Sequence, residues 1–147
     1  MVELYRRDPD SSTLAGPRTL CRVLATPGEL TAVVGFYSTL TGVDPDMDMA
    51  WPEVGMHIVA IAGFLILELD PEAHPAAAAA QATVIVAELA TAVHQAVEHG
   101  ATVLEAAHPA PVGAAARLRH PDGLLVEYLE HRPNANDVDT APLKSQN

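Results

Sequence analysis

Glu68 and Glu127 each interrupt an apolar, β-prone run. A carboxylate so placed can serve as an oxygen ligand for a hard cation or, with its pKa raised by burial, as a general base. His57 lies in a similar run and is the histidine best placed to face a ligand. The other six, His74, His94, His99, His108, His120 and His131, form no pair at ligand spacing on a strand. His94 and His99 stand five apart on a helix, which is not one face. No Ser/His/Asp set, Cys/His pair or phosphate-cradling glycine loop is present. Cys21 is the only cysteine, so no disulfide closes within the chain, and in an apolar strand it reads as packing. Met47, Met49 and Trp51 alternate with Asp48 and Ala50, which puts three large polarizable side chains on one face. Such a surface adapts to flat ligands, with ordinary core as the alternative for the methionines.

The elements that position these residues follow from periodicity. Residues 18–26 read as a strand ended by Pro27-Gly28. Residues 29–41 read as a helix, with Leu30, Val33, Val34, Tyr37 and Leu40 at spacings of three and four and a stop at Gly42. Residues 56–61 and 64–69 form a predicted hairpin turning near Ala62-Gly63. The proline- and alanine-rich stretch 71–80 reads as a linker. Beyond it come a strand (82–86), a helix (88–99, capped by Gly100) and strands at 103–107, 114–119 and 124–130, with Pro121-Asp122-Gly123 as a turn. Residues 1–17 read as a flexible N-terminal segment and 132–147 as a disordered tail.

At 147 residues, with 19 acidic and 8 basic side chains and a formal charge of -11, the chain has the size of one domain and an acidic surface. That field repels phosphate backbones and anionic membranes, so neither nucleic acid nor membrane is an expected partner. No signal peptide or spanning stretch is read, and the expectation is a cytoplasmic protein.

The halves repeat. A shift of 59 places Glu29-Leu30 on Glu88-Leu89, Ile66-Leu67-Glu68 on Leu125-Val126-Glu127, and Arg22 on Gln81. Gly28-Glu29-Leu30, Gly35-Phe36-Tyr37 and Gly42 resemble the first helix of glyoxalase-type proteins. The run from Val86 through His99-Gly100 is similar to their second helix. His120-Pro121-Asp122-Gly123 followed by Glu127 resembles their last hairpin, with His in place of the first Asp. The chain thus resembles the vicinal oxygen chelate (glyoxalase/bleomycin-resistance/dioxygenase) superfamily over residues 18–131. The resemblance implies an α+β fold. Two βαβββ modules, at 18–70 and 81–131, would form one eight-stranded cupped mixed sheet with helices outside, often as a homodimer.

In the metal enzymes of this superfamily the first and last strands of each module supply four ligands. Carried onto this sequence, those positions are Arg22, Glu68, Gln81 and Glu127. A guanidinium stays protonated and repels a divalent cation, so no metal or other cofactor is expected. Arg22 would instead neutralise the two glutamates. With Glu68 inward, Ile66 and Phe64 follow; with Glu127 inward, Leu125 and Leu129 follow, and His57 also faces the cup. Aliphatic walls, a Trp51/Met47/Met49 edge and a few charges fit a large apolar or aromatic ligand. The expected function is sequestration of such a natural product, an antibiotic in a self-resistance role. The alternative is an enzyme of the same superfamily: lyase, isomerase, dioxygenase or cyclase.

Overall fold

The computed structural model describes residues 3–6, 11–110 and 113–132. In chain order the elements are β1 (Glu3–Arg6), β2 (Arg18–Ala25), α1 (Leu30–Thr41), β3 (Met47–Trp51), a 3-10 turn (Pro52–Val54), β4 (Met56–Ile61), β5 (Phe64–Glu68), α2 (Pro75–Ala79), β6 (Ala82–Ile85), α3 (Leu89–Glu98), β7 (Thr102–Ala110), β8 (Gly113–Arg119) and β9 (Leu125–His131). The architecture is α+β: β2, α1 and β3 to β5 make one βαβββ module, and β6, α3 and β7 to β9 make a second. The described residues divide into two compact units. One holds 3–6 and 21–78; the other holds 11–20, 79–110 and 113–132.

In the first unit β2 runs parallel to β5, while β5 with β4, β4 with β3 and β3 with β1 are antiparallel. Helix α1 covers one face. Leu30, Val33, Val34 and Tyr37 pack on Val23, Ala25, Val59, Ile61 and Ile66. Full burial of an isoleucine such as Ile61 or Ile66 stabilises by about 1.5–3 kcal/mol. The helix stops at Gly42, whose positive φ lets its N–H reach the carbonyl of Ser38. Alternation puts Met47, Met49, Ile58, Ala60, Leu65 and Leu67 on the opposite face.

In the second unit β6 is parallel to β9, and β9, β8 and β7 are successively antiparallel. Helix α3 packs through Leu89, Ala92, Val93 and Ala96 on the strand residues Val84, Ala116, Leu118, Val126 and Tyr128. Residues 120–124 form the expected turn: the N–H of Gly123 bonds the carbonyl of His120, and Asp122 accepts from the N–H of Leu124. Gly100 has a φ of 104°, which L side chains rarely adopt, and a Cβ there would press on Pro121 Cγ at 3.1 Å.

The opening segment, expected to be a flexible lead-in, contributes strand β1 to the first unit and an anchor to the second. Ser11 is buried. Its hydroxyl donates to the carbonyl of Val86 at 2.6 Å and accepts from the N–H of His131 at 3.0 Å. Residues 71–80, expected to be a linker, include the short helix α2. Cys21, expected in the core, is exposed at the end of the ladder, opposite Phe64. Of the expected tail, Arg132 alone is described; 133–147 lie outside the described residues.

Candidate functional site

The single offset of 59 holds at the helices and fails at the closing strands. Leu30 and Leu89 both begin a helix, 59 apart. Glu68 Oε2 accepts the N–H groups of Gly28 at 3.0 Å and Leu30 at 3.3 Å. The residue doing the same for α3 is Glu130, whose Oε1 accepts from the N–H of Leu89 at 2.9 Å. The separations are 38 residues in the first module and 41 in the second. A slip of three is odd, and an odd slip reverses every side chain on a strand. Glu68 is therefore the counterpart of Glu130, and Leu65 is the counterpart of Glu127.

This corrects the expected facing of module one. Glu68, Ile66 and Phe64 lie on the α1 face: Ile66 is in the helix core, and the rings of Phe64 and Tyr37 stand 4.5 Å apart. His57 pairs with Glu68 across β4 and β5 and shares that face. Met47, Met49 and Trp51 do occupy one face, as alternation required. The methionines, however, are 6% and 5% exposed, and only Trp51 is half-buried. In module two the expected facing stands: Leu125 and Glu127 alternate with Val126 and Tyr128, which pack under α3. Glu127 is half-buried and accepts from the hydroxyl of Thr83, its ladder partner, at 3.5 Å. Arg22 donates to the carbonyl of Ala77 at the end of α2, at 2.8 Å. Gln81 is exposed, and its Oε1 accepts from the N–H of Leu125 at 3.0 Å.

A cavity of about 460 Å³ opens beside the start of α1, wholly within the first unit. Pro27, Ala50, Pro52, Val54, Met56 and Ala73 form its apolar walls; His57, Glu68, Asp70 and His74 are its polar groups. Both histidines are held in place. The Nε2 of His57 is hydrogen-bonded to Asp48 Oδ1, and the Nε2 of His74 donates to the carbonyl of Val54 at 2.8 Å. A histidine fixed by a carboxylate through one ring nitrogen has its tautomer and orientation set. Asp70 Oδ1 accepts the N–H of Glu72 and shapes the turn into α2.

No protein-family model matches the sequence, and no curated protein is similar to it. Solved structures do match. An uncharacterised protein from Methanosarcina mazei is 25% identical, with a TM-score of 0.62, over 78% of this chain and 91% of that one. A hypothetical protein from Bacillus halodurans C-125 is 18% identical, with a TM-score of 0.55, over 79% and 96%. A methylmalonyl-CoA epimerase from Mycobacterium tuberculosis is 17% identical, with a TM-score of 0.52, over 80% and 89%. The chain has the vicinal-oxygen-chelate fold.

The metal that this fold carries in its metal enzymes does not suit the residues present. Counting from the structural counterparts, the ladder pairs on the faces opposite the helices are Arg22 with Leu65 and Thr83 with Glu127. A divalent ion needs several oxygen or nitrogen donors; the second pair offers one carboxylate and a hydroxyl, and the first only a permanent cation and a leucine. Glu68 cannot complete the first pair, being on the other face from Arg22. Among the described residues no group of three or more His, Cys, Asp or Glu side chains has metal-binding geometry. No helix among them is long and apolar enough to cross a membrane.

Of the residues expected to bind a ligand, the cavity unites His57 and Glu68. Asp48, Asp70 and His74 were missed. Asp48 had served only as the polar spacer between Met47 and Met49; the β3–β4 pairing, in which Asp48 opposes Val59 and Ala50 opposes His57, was the signal that could have joined it to His57.

Proposed function

We propose that this protein binds a small organic molecule with an apolar or aromatic body, in the cavity of the first module. The cavity itself carries the reading. Its volume falls within the range of ligand pockets, and apolar walls with a few oriented polar groups are what such pockets use. Sequestration of a natural product such as an antibiotic is the biological role that fits a binding site of this kind. Oligomerisation as a homodimer belongs to the same reading, supported by Phe36 and Leu40, apolar and exposed one turn apart on α1.

A thermal-shift screen of aromatic and polycyclic natural products, followed by calorimetry, tests it. A ligand that stabilises the wild type and is lost in Ala73→Trp, which narrows the cavity from an exposed loop, supports the site. A ligand that binds Ala73→Trp equally well lies elsewhere. Trp51→Ala should leave affinity unchanged; a loss of about 2 kcal/mol or more would place the ligand on the Met47/Met49/Trp51 face instead.

The Asp48–His57 pair favours a second reading, an enzyme in which His57 removes a proton from a substrate in the same cavity. Racemisation or epimerisation is the reaction class to try first, starting with methylmalonyl-CoA. Turnover that survives His57→Gln would remove His57 as the base.

A further inference from the structure

The two modules solve one electrostatic problem differently. In module two, Glu130 at the start of α3 has a cation beside it: Arg132 Nη2 stands 3.5 Å from Glu130 Oε1. That guanidinium also donates to the carbonyls of Ala87 and His131 and to Ser11 Oγ. In module one, Glu68 occupies the equivalent place at the start of α1. The offset of 62 that carries Glu68 onto Glu130 carries Asp70 onto Arg132. Where module two has a guanidinium, module one has a second carboxylate and an open cavity.

We propose that the cavity of module one takes an organic cation, an ammonium, amidinium or guanidinium on an apolar body, whose charged end sits against Glu68 as Arg132 sits against Glu130. This rests on the reading that the cavity holds a ligand. Glu68 is half-buried and oriented, with Oε2 committed to two amides and Oε1 taking no hydrogen bond from the described residues. A charge-assisted bond to that oxygen recovers the cost of partial desolvation. The cavity lining contains no Lys or Arg, and Asp48 behind His57 adds a further negative charge. The amides that would attract an anion to the start of α1 are already taken by Glu68. The formal charge of -11 draws cations toward the surface. Pro27, Pro52, Val54 and Met56 would pack against the apolar body.

The test titrates the full chain with 2-phenylethylammonium and benzamidinium, against benzamide and phenylacetate as neutral and anionic controls, following backbone amide signals by NMR. The two cations should shift the signals of Gly55, His57 and Glu68, and the controls should not. In E68Q, where the amide oxygen can still accept from Gly28 and Leu30, affinity should fall roughly tenfold or more. In D70R, which supplies the missing guanidinium from the chain itself, cation binding should disappear while the melting temperature holds or rises. Equal shifts from benzamide or phenylacetate would overturn the cation assignment and leave the cavity as a ligand site. Cation shifts that are absent there, or unchanged in E68Q and D70R, would also overturn it. The natural-product screen with Ala73→Trp would then judge the cavity on its own.

Discussion

Each module places a glutamate from its closing strand against the first amides of its helix, Glu68 for α1 and Glu130 for α3. Neither helix has a side-chain cap of its own, so the cap arrives from a distant strand. That contact ties helix to sheet, and it places a carboxylate at the positive end of the helix dipole. Beyond the shared device the modules diverge. Module two closes around its glutamate with Arg132, which Ser11 in turn holds. Module one leaves a cavity edged by prolines and histidines. A common helix-capping contact thus has a guanidinium beside it in one copy and an open cavity beside it in the other.

The comparison can be sharpened by experiment. The largest effects should be equal in the two cores: Ile66→Ala and Leu118→Ala, both fully buried, should each cost about 2–5 kcal/mol in urea denaturation. Unequal losses would show that one module packs more loosely than the other. Next comes the asymmetry. Arg132→Ala removes several hydrogen bonds and leaves Glu130 without its cation, and should cost about 1–3 kcal/mol. Asp70→Ala, at the equivalent position, loses only an exposed bond from the N–H of Glu72 and should cost about 0.5 kcal/mol. Similar costs at both positions would break the correspondence. Loss of the distant cap should come third: Glu68→Ala and Glu130→Ala should each cost about 1 kcal/mol of helix stability.

The smallest effect concerns pH. Burial raises the pKa of Tyr128 above its ordinary value of 10.0, and its hydroxyl lies 2.8 Å from His120 Nε2. A group whose folded pKa is raised contributes stability that is complete below its unfolded value and is lost as pH rises through the folded one. Module two should therefore lose this contribution in strongly alkaline solution. Spectrophotometric titration of tyrosinate should show a late step that disappears in Tyr128→Phe. Its persistence in that variant would assign it to another tyrosine.

Much of the architecture was legible in the chain. The spacing of Leu30, Val33, Val34 and Tyr37 defined the inner face of α1, and the alternation of Met47, Met49 and Trp51 was correct in phase. The Pro121-Asp122-Gly123 turn formed as its chemistry required. The register between repeats was not legible. Identity between the halves was too thin to show that module two is three residues longer between helix start and closing glutamate. Once that length was missed, the faces of Phe64, Ile66 and Glu68 were inverted together. Arg132 falls in a stretch whose polar composition reads as a tail, yet its guanidinium holds three acceptors.

What the sequence determined by itself was local: the periodicity of helices and strands, and turns such as Pro121-Asp122-Gly123. Those depend on neighbours within a few positions, where propensity and periodicity act directly. The tertiary structure decided which face each glutamate serves, and that Asp48 and His57 meet. It also decided that a cavity beside α1, rather than the Trp51/Met face, brings polar groups together. Such choices turn on pairing between residues tens of positions apart, and a side chain's face reverses with each single step of register.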